Sequence, residues 1–248
     1  MSIFRILTMG AVLALAGAVA AAADPAAPPP SRIGPCDGTF ASVSGLTDYR
    51  YDGFSESNRG PTWQVTAYCY RNSGVFVGTQ VSGIDFKDQP RTPVEADFYL
   101  GRQVRWRGTS VTFELLYSAF PGKRAPGPSY DIIEPQVEVA RTMGRLTLNG
   151  AAGWEGDVSG HSQEWRLRAG AAVALASWLS VGGHFGGFVG ASGADHDHAF
   201  YDIGATATWR RLSFDLRYGG TNLPRSECYY THWCEPGAYA GVTWRLAP

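Results

Sequence analysis

The chain has 248 residues, 44% of them hydrophobic and 17% charged, with a formal net charge of −1 at pH 7. Its 21 Lys and Arg and 22 Asp and Glu form no basic face or charge run, which argues against a nucleic-acid partner. Four cysteines (Cys36, Cys69, Cys228 and Cys234) lack any Cys-x-x-Cys spacing, which favours disulfides over a zinc site in an exported chain.

The beginning reads as an export signal. Arg5 is the only charge ahead of an apolar run, Ile6 through Ala23, that ends in small residues before Asp24. That order marks residues 1–23 as a secretory signal peptide. A retained membrane helix is the alternative, since about 20 apolar residues suffice to span. The Ala-rich content and the Pro/Ala-rich segment 24–38 argue for cleavage. What remains, 39–248, has the length of a single all-β domain.

Past Gly38 the pattern takes period two. Within 109–119, Val111, Phe113, Leu115 and Tyr117 alternate with Ser110, Thr112 and Glu114. Within 131–140, Ile133, Val137 and Val139 face away from Glu134, Gln136 and Glu138. Within 212–219, Leu212, Phe214, Leu216 and Tyr218 alternate with Ser213, Asp215 and Arg217. A helix would space its apolar residues three and four apart, so these are strands. About twelve such runs follow in chain order: 39–50, 61–70, 75–86, 94–105, 109–119, 131–140, 145–155, 163–174, 178–188, 200–209, 212–219 and 238–246. Many have the about 9–11 residues of a tilted membrane strand.

The connections alternate. Arg71–Gly74, Trp106–Gly108, Arg141–Gly144, Leu175–Ser177 and Arg210–Arg211 are short, and the stretches between them are longer. Tight turns on one side and long loops on the other are the layout of an outer-membrane barrel. Trp63, Tyr117, Trp154, Trp165, Tyr201, Trp209, Tyr218 and Trp244 share the apolar parity and lie near strand ends, where headgroup-level girdles form. The mid-strand apolar positions read as Val, Ala, Leu and Gly. The opposite parity carries Glu95, Asp97, Glu114, Glu134, Glu138, Arg166, Arg168, His184, Asp202, Asp215, Arg217 and Arg245. Such charges need water or opposite partners, so they are expected to line a lumen. The fold expected is a transmembrane antiparallel up-and-down β-barrel.

That topology sets the disulfides. Cys36 and Cys69 fall at one rim on neighbouring strands, and Cys228 and Cys234 lie within the last long loop. Crossed pairings would have to bridge the apolar band, roughly 25 Å.

The segment Val43–Gly53 (VSGLTDYRYDG) with Phe54–Asn58 (FSESN) resembles the opening of the TorF porin family, whose first strand ends in D-Y-R-x-x-G-x-S-x-S. Ser73–Thr79 and Tyr239–Trp244 match as well, and Thr47–Ser57 is the specific part. The resemblance implies an outer-membrane barrel with a porin role.

Other constellations were weighed for chemistry. Asp195-His196-Asp197-His198 has metal-ligand residue types but sits in a Gly/Ala/Ser-rich loop, and His232 lies on another. Asp157, Ser159, His161 and Ser162 share one loop without the fixed geometry a triad needs. Asp48 and Arg50 form an ion pair at the rim, with solute contact as the alternative. No catalytic, cofactor or metal residue is assigned. The expectation is a narrow outer-membrane channel for passive diffusion of small hydrophilic solutes, contacting outer-membrane lipid. A closed structural or surface-interaction barrel and a lipid-modifying enzyme are the alternatives.

Overall fold

The computed structural model describes residues 36–87, 92–122, 131–192 and 196–246. The export signal expected at 1–23 lies outside them, as does most of segment 24–38. Among the described residues fourteen strands follow one another in chain order. They are β1 (Gly38–Leu46), β2 (Arg50–Tyr51), β3 (Phe54–Ser55), β4 (Thr62–Tyr70), β5 (Val75–Gly83), β6 (Val94–Trp106) and β7 (Thr109–Ala119). Then come β8 (Ile132–Met143), β9 (Leu146–Asp157), β10 (Gln163–Ala176), β11 (Leu179–Val189), β12 (His198–Trp209), β13 (Leu212–Thr221) and β14 (Gly237–Arg245). All but β2 and β3 form a closed antiparallel barrel in which every strand pairs with its sequence neighbour. The seam closes between β1 and β14, with Ser44 opposite Thr243. Closure leaves no edge strand and satisfies the backbone polar groups from within, as a hydrocarbon surrounding demands.

The two faces are inverted relative to a water-soluble barrel. Leu216 (61% exposed), Ile203 (60%), Phe113 (53%) and Leu100 (53%) point outward, whereas Glu134 (1%) and Asn149 (2%) are enclosed. An apolar belt of this extent suits lipid, not water. Trp106, Trp178, Trp209 and Trp244 ring the short-turn end, and Trp63, Tyr117, Trp165 and Tyr218 ring the long-loop end. Trp154 faces Trp165 across β9 and β10. One expectation is corrected: aromatic residues are not confined to strand ends, because Phe98, Phe113, Phe185 and Phe214 also point outward from strand interiors. Phenylalanine has no polar atom to keep wet, so nothing draws it to the headgroup level.

A second correction concerns the first strand, expected to run to residue 50. It ends at Leu46, and the chain turns into the barrel mouth as the separate hairpin β2–β3. Asp48 causes the break. Its side chain collects hydroxyl donors from Ser55 and Ser57, a local alternative to the strand ladder.

Cys36 and Cys69 are joined at the short-turn rim, with Cα atoms 5.3 Å apart. Cys228 and Cys234 are joined inside the last long loop, with Cα atoms 6.0 Å apart. Both separations fall in the range a disulfide requires.

Candidate functional site: a hairpin across the lumen

The segment between β1 and β4 is held by a dense set of polar contacts. Asp48 is its hub. Its Oδ2 accepts from Arg50 Nε at 2.7 Å, and its Oδ1 accepts from the hydroxyls of Ser55 at 2.5 Å and Ser57 at 3.2 Å. Ser57 Oγ in turn accepts the backbone N–H of Tyr49 at 2.9 Å, and its single proton is shared between Asp48 Oδ1 and the Gly60 carbonyl 2.8 Å away. Arg50 Nη1 donates to the carbonyls of Gly53, Gly219 and Glu235, tying the segment to β13 and to the last loop. Gly53 turns the hairpin at φ +89°, where a Cβ would lie 2.6 Å from the Gly220 carbonyl oxygen. Only glycine fits there. The fixed letters of D-Y-R-x-x-G-x-S-x-S therefore match one hydrogen-bonded turn: acceptor, donor, turn glycine and two hydroxyls.

The hairpin tip reaches the far wall. In the closed strand order β9 lies six strands from β1 in either direction, so β8 to β10 face β1 across the bore. Tyr51 donates its hydroxyl to Glu134 of β8 at 2.7 Å. Arg166 of β10 binds Asp52 of the tip and donates to Glu134 Oε1 at 2.6 Å. Its guanidinium also lies 4.8 Å from the centre of the Tyr51 ring. Arg166, Asp52 and Glu134 are nearly inaccessible, so one guanidinium replaces the hydration of two carboxylates.

Beneath the base of the hairpin, Tyr49, Ile84 and Phe120 form an apolar cluster with Leu46, Phe86 and Ile132 against it. Beside the hairpin lies a cavity of about 340 Å³, lined by Asp48, Arg50, Arg166, Arg168, His184, Asp202, Asp215 and Arg217 among others. His184 shares a hydrogen bond of 2.6 Å with Asp202. Arg217 binds Asp202 and Asp215 together. Glu138 stands 3.6 Å from Arg168. Glu95, Asp97 and Glu114 face inward on the opposite wall, where Asp97 accepts from Ser118 at 2.7 Å and Glu114 from Gln136 at 2.8 Å. Arg245 lies opposite buried Ser42 at the short-turn end, away from the others.

Several interior residues escaped sequence reading. Tyr51 and Asp52 lie beyond the first expected run, 39–50, and a contact across the bore leaves no periodic trace. Glu155 and Glu164 face each other inside β9 and β10. Parity could have found them, since each adjoins an outward tryptophan, Trp154 or Trp165.

The loop residues with metal or catalytic types are engaged elsewhere. Asp195 lies outside the described residues. His198 stacks on Phe188 at 4.9 Å, and Asp197 accepts the backbone N–H of Ala191 at 2.8 Å. His232 is bound to Glu235 at 2.6 Å. Among the described residues no three or more His, Cys, Asp or Glu side chains converge as a metal site. In the Asp157 loop the carboxylate binds Ser159, and Ser159 contacts His161 Nδ1 at 2.7 Å. A hydrolase relay would instead place the carboxylate on the imidazole.

A closed antiparallel barrel, apolar outside and charged inside, has the architecture of outer-membrane channel proteins. The chain belongs to the family described as "Bacterial protein of unknown function (Gcw_chp)", whose model matches residues 34–242. No curated protein matches the sequence. Among solved structures it is similar to the KdgM porin, with a TM-score of 0.56 and 7% identity over 83% of this chain and 98% of that one. The NanC porin gives 0.54 and 10% identity over 84% and 100%. The COG4313 outer membrane channel from Pseudomonas putida F1 gives 0.50 and 7% over 84% and 94%. At such identities the likeness is one of fold.

Proposed function

We propose that this protein is an outer-membrane channel for passive diffusion of small hydrophilic solutes, exported by a signal peptide at 1–23 and narrowed by its first loop. The observation that carries this reading is the hairpin β2–β3 itself. A barrel serving only as an anchor gains nothing from folding a loop inward and satisfying it with buried charges. A channel gains a constriction whose lining sets what passes. The charged cavity beside the hairpin supplies a wet route around it. The TorF resemblance of Thr47–Ser57 agrees with this role, since that motif builds the constriction. A structure of the KdgM porin in complex with disordered oligogalacturonate shows a similar barrel with a hydrophilic chain. Glu95, Asp97, Glu114, Glu134, Glu138, Arg166, Arg168, His184, Asp202, Asp215, Arg217 and Arg245 belong to the lumen on this reading.

Single-channel recording of refolded protein in planar bilayers tests it. Discrete conductance steps smaller than those of a wide porin are expected. Correctly folded protein that leaves the bilayer silent, and stays silent when Arg166→Ala unpins the hairpin, would make this a closed structural barrel.

A further inference from the structure

A pore's preference for one sign of ion follows from the fixed charge left over once internal pairs have neutralised each other. In this lumen the arginines are largely spent. Arg166 is divided between Asp52 and Glu134, and Arg217 between Asp202 and Asp215. Arg50 is held by Asp48 and three backbone carbonyls. Arg168 is loosely engaged, 3.6 Å from Glu138, with its Nε unpartnered, and Arg245 lies apart at the short-turn end. Arg105 is exposed at the short-turn rim and bonded to Gln103, where bulk salt screens it.

The carboxylates of the opposite wall are not spent. Among the described residues no ion pair reaches Glu95, Asp97, Glu114 or Glu155. Asp97 and Glu114 are met by neutral donors only, namely Ser118, Tyr99 and Gln136. Glu95 is 8% exposed, and its Oε2 has no hydrogen-bond partner; the Oε2 of Glu155 is in the same position. An enclosed carboxylate oxygen without a donor is costly unless positive charge comes to it. Among the described residues Arg166 and Arg168, the guanidinium groups beside this wall, are bound at Glu134 and Glu138 instead.

We infer that the lumen selects for cations, and that the inward carboxylates of β6 to β9 are the selecting element. This rests on the channel reading above and names the class of solute it favours. A cation entering past the hairpin meets carboxylates that lack a counter-charge. An anion meets guanidinium groups already shared between carboxylates.

The probe is potassium chloride. Refolded full-length protein in a planar bilayer, under a KCl gradient at neutral pH, should show a reversal potential reporting a severalfold preference for K⁺ over Cl⁻. Glu114→Gln should lower that ratio and Arg168→Gln should raise it. Both side chains are partly open to the bore, and both variants should keep the conductance steps. Glu95→Gln is a second check deeper in the wall, with the heat-modifiable mobility of the folded barrel as its folding control. A reversal potential near zero or favouring Cl⁻, with conductance intact, overturns the inference and leaves the channel standing. Silence from every variant removes the channel reading and this inference with it.

Discussion

The first and last long loops, 47–61 and 222–236, are of equal length and meet over the same mouth, yet they are held by opposite means. The first turns inward and is fixed by convergence on Asp48 and by Arg166 across the bore. The last stays outside and is closed by Cys228–Cys234 just after a short 3-10 turn, Arg225–Glu227, with Tyr230 76% exposed. The two touch where Trp233 donates to Asn58 Oδ1 at 3.0 Å and where its carbonyl accepts the Ser55 N–H at 3.0 Å. The difference follows from solvent. At the enclosed side chains of Asp48, Arg50 and Arg166 a lost hydrogen bond is not replaced by water, so a polar network is decisive. Outside, water competes for every such bond, and a covalent ring restricts the unfolded loop instead.

The largest effect should come from the hub. Asp48→Ala leaves Arg50 enclosed without its counter-charge, a cost of about 3–5 kcal/mol. Denaturant unfolding in detergent micelles and hydrogen exchange over 47–61 should both record it. A loss within 1 kcal/mol would mean that the network decorates the loop without fixing it. Arg166→Met strips the counter-charge from enclosed Asp52 and Glu134, a cost of the same order, and should free the hairpin tip, raising single-channel conductance. Unchanged conductance would place the solute route away from the tip.

Removing the staple should matter less and more locally. Cys228→Ser with Cys234→Ser relinquishes a small ring, worth about 2 kcal/mol by chain entropy. Faster exchange should be confined to 222–236, with conductance steps retained. If the first loop loosened equally, the two loops would be one unit and the contrast between them would fail.

The effects of pH differ in sign between the loops. Burial, reinforced by Asp97 and Asp48, pushes the Glu56 carboxyl up to about 8. The docked loop therefore holds that proton longer than the free chain does, and its stability falls as pH rises from about 4.5 toward 8. Glu56→Gln should flatten the slope. Glu235 lies the other way. The hydrogen bond from His232, with the charges of His232 and Arg59, holds its carboxyl below the ordinary value. Its small contribution is present above the unfolded value and is lost as pH falls through the folded one. Protease accessibility of each loop between pH 4 and pH 9 separates the two, and parallel responses would contradict this assignment.

The barrel itself was legible in the sequence, because period-two alternation is a local property of each strand. The runs at 109–119 and 212–219 needed no knowledge of their neighbours to declare an apolar face. Alternation also placed Glu134 and Arg166 on the polar face. Parity cannot say which residue of a distant strand lies opposite, however, so the pairing of Arg166 with Asp52 and Glu134 was not legible. The inward turn at Asp48 was missed for the same reason. Its motif is visible as letters, but the direction of the turn is set by a wall six strands away.

The sequence by itself determined the strands, from side-chain chemistry read a few residues at a time, and the inside–outside sense, from strand length, aromatic girdles and the sorting of short turns from long loops. The tertiary structure alone decided that the first loop crosses the lumen and that the arginines are consumed by carboxylates. Both depend on which charges closure of the barrel brings within reach, and the energy of a charge is fixed by its surroundings, not by its place in the chain.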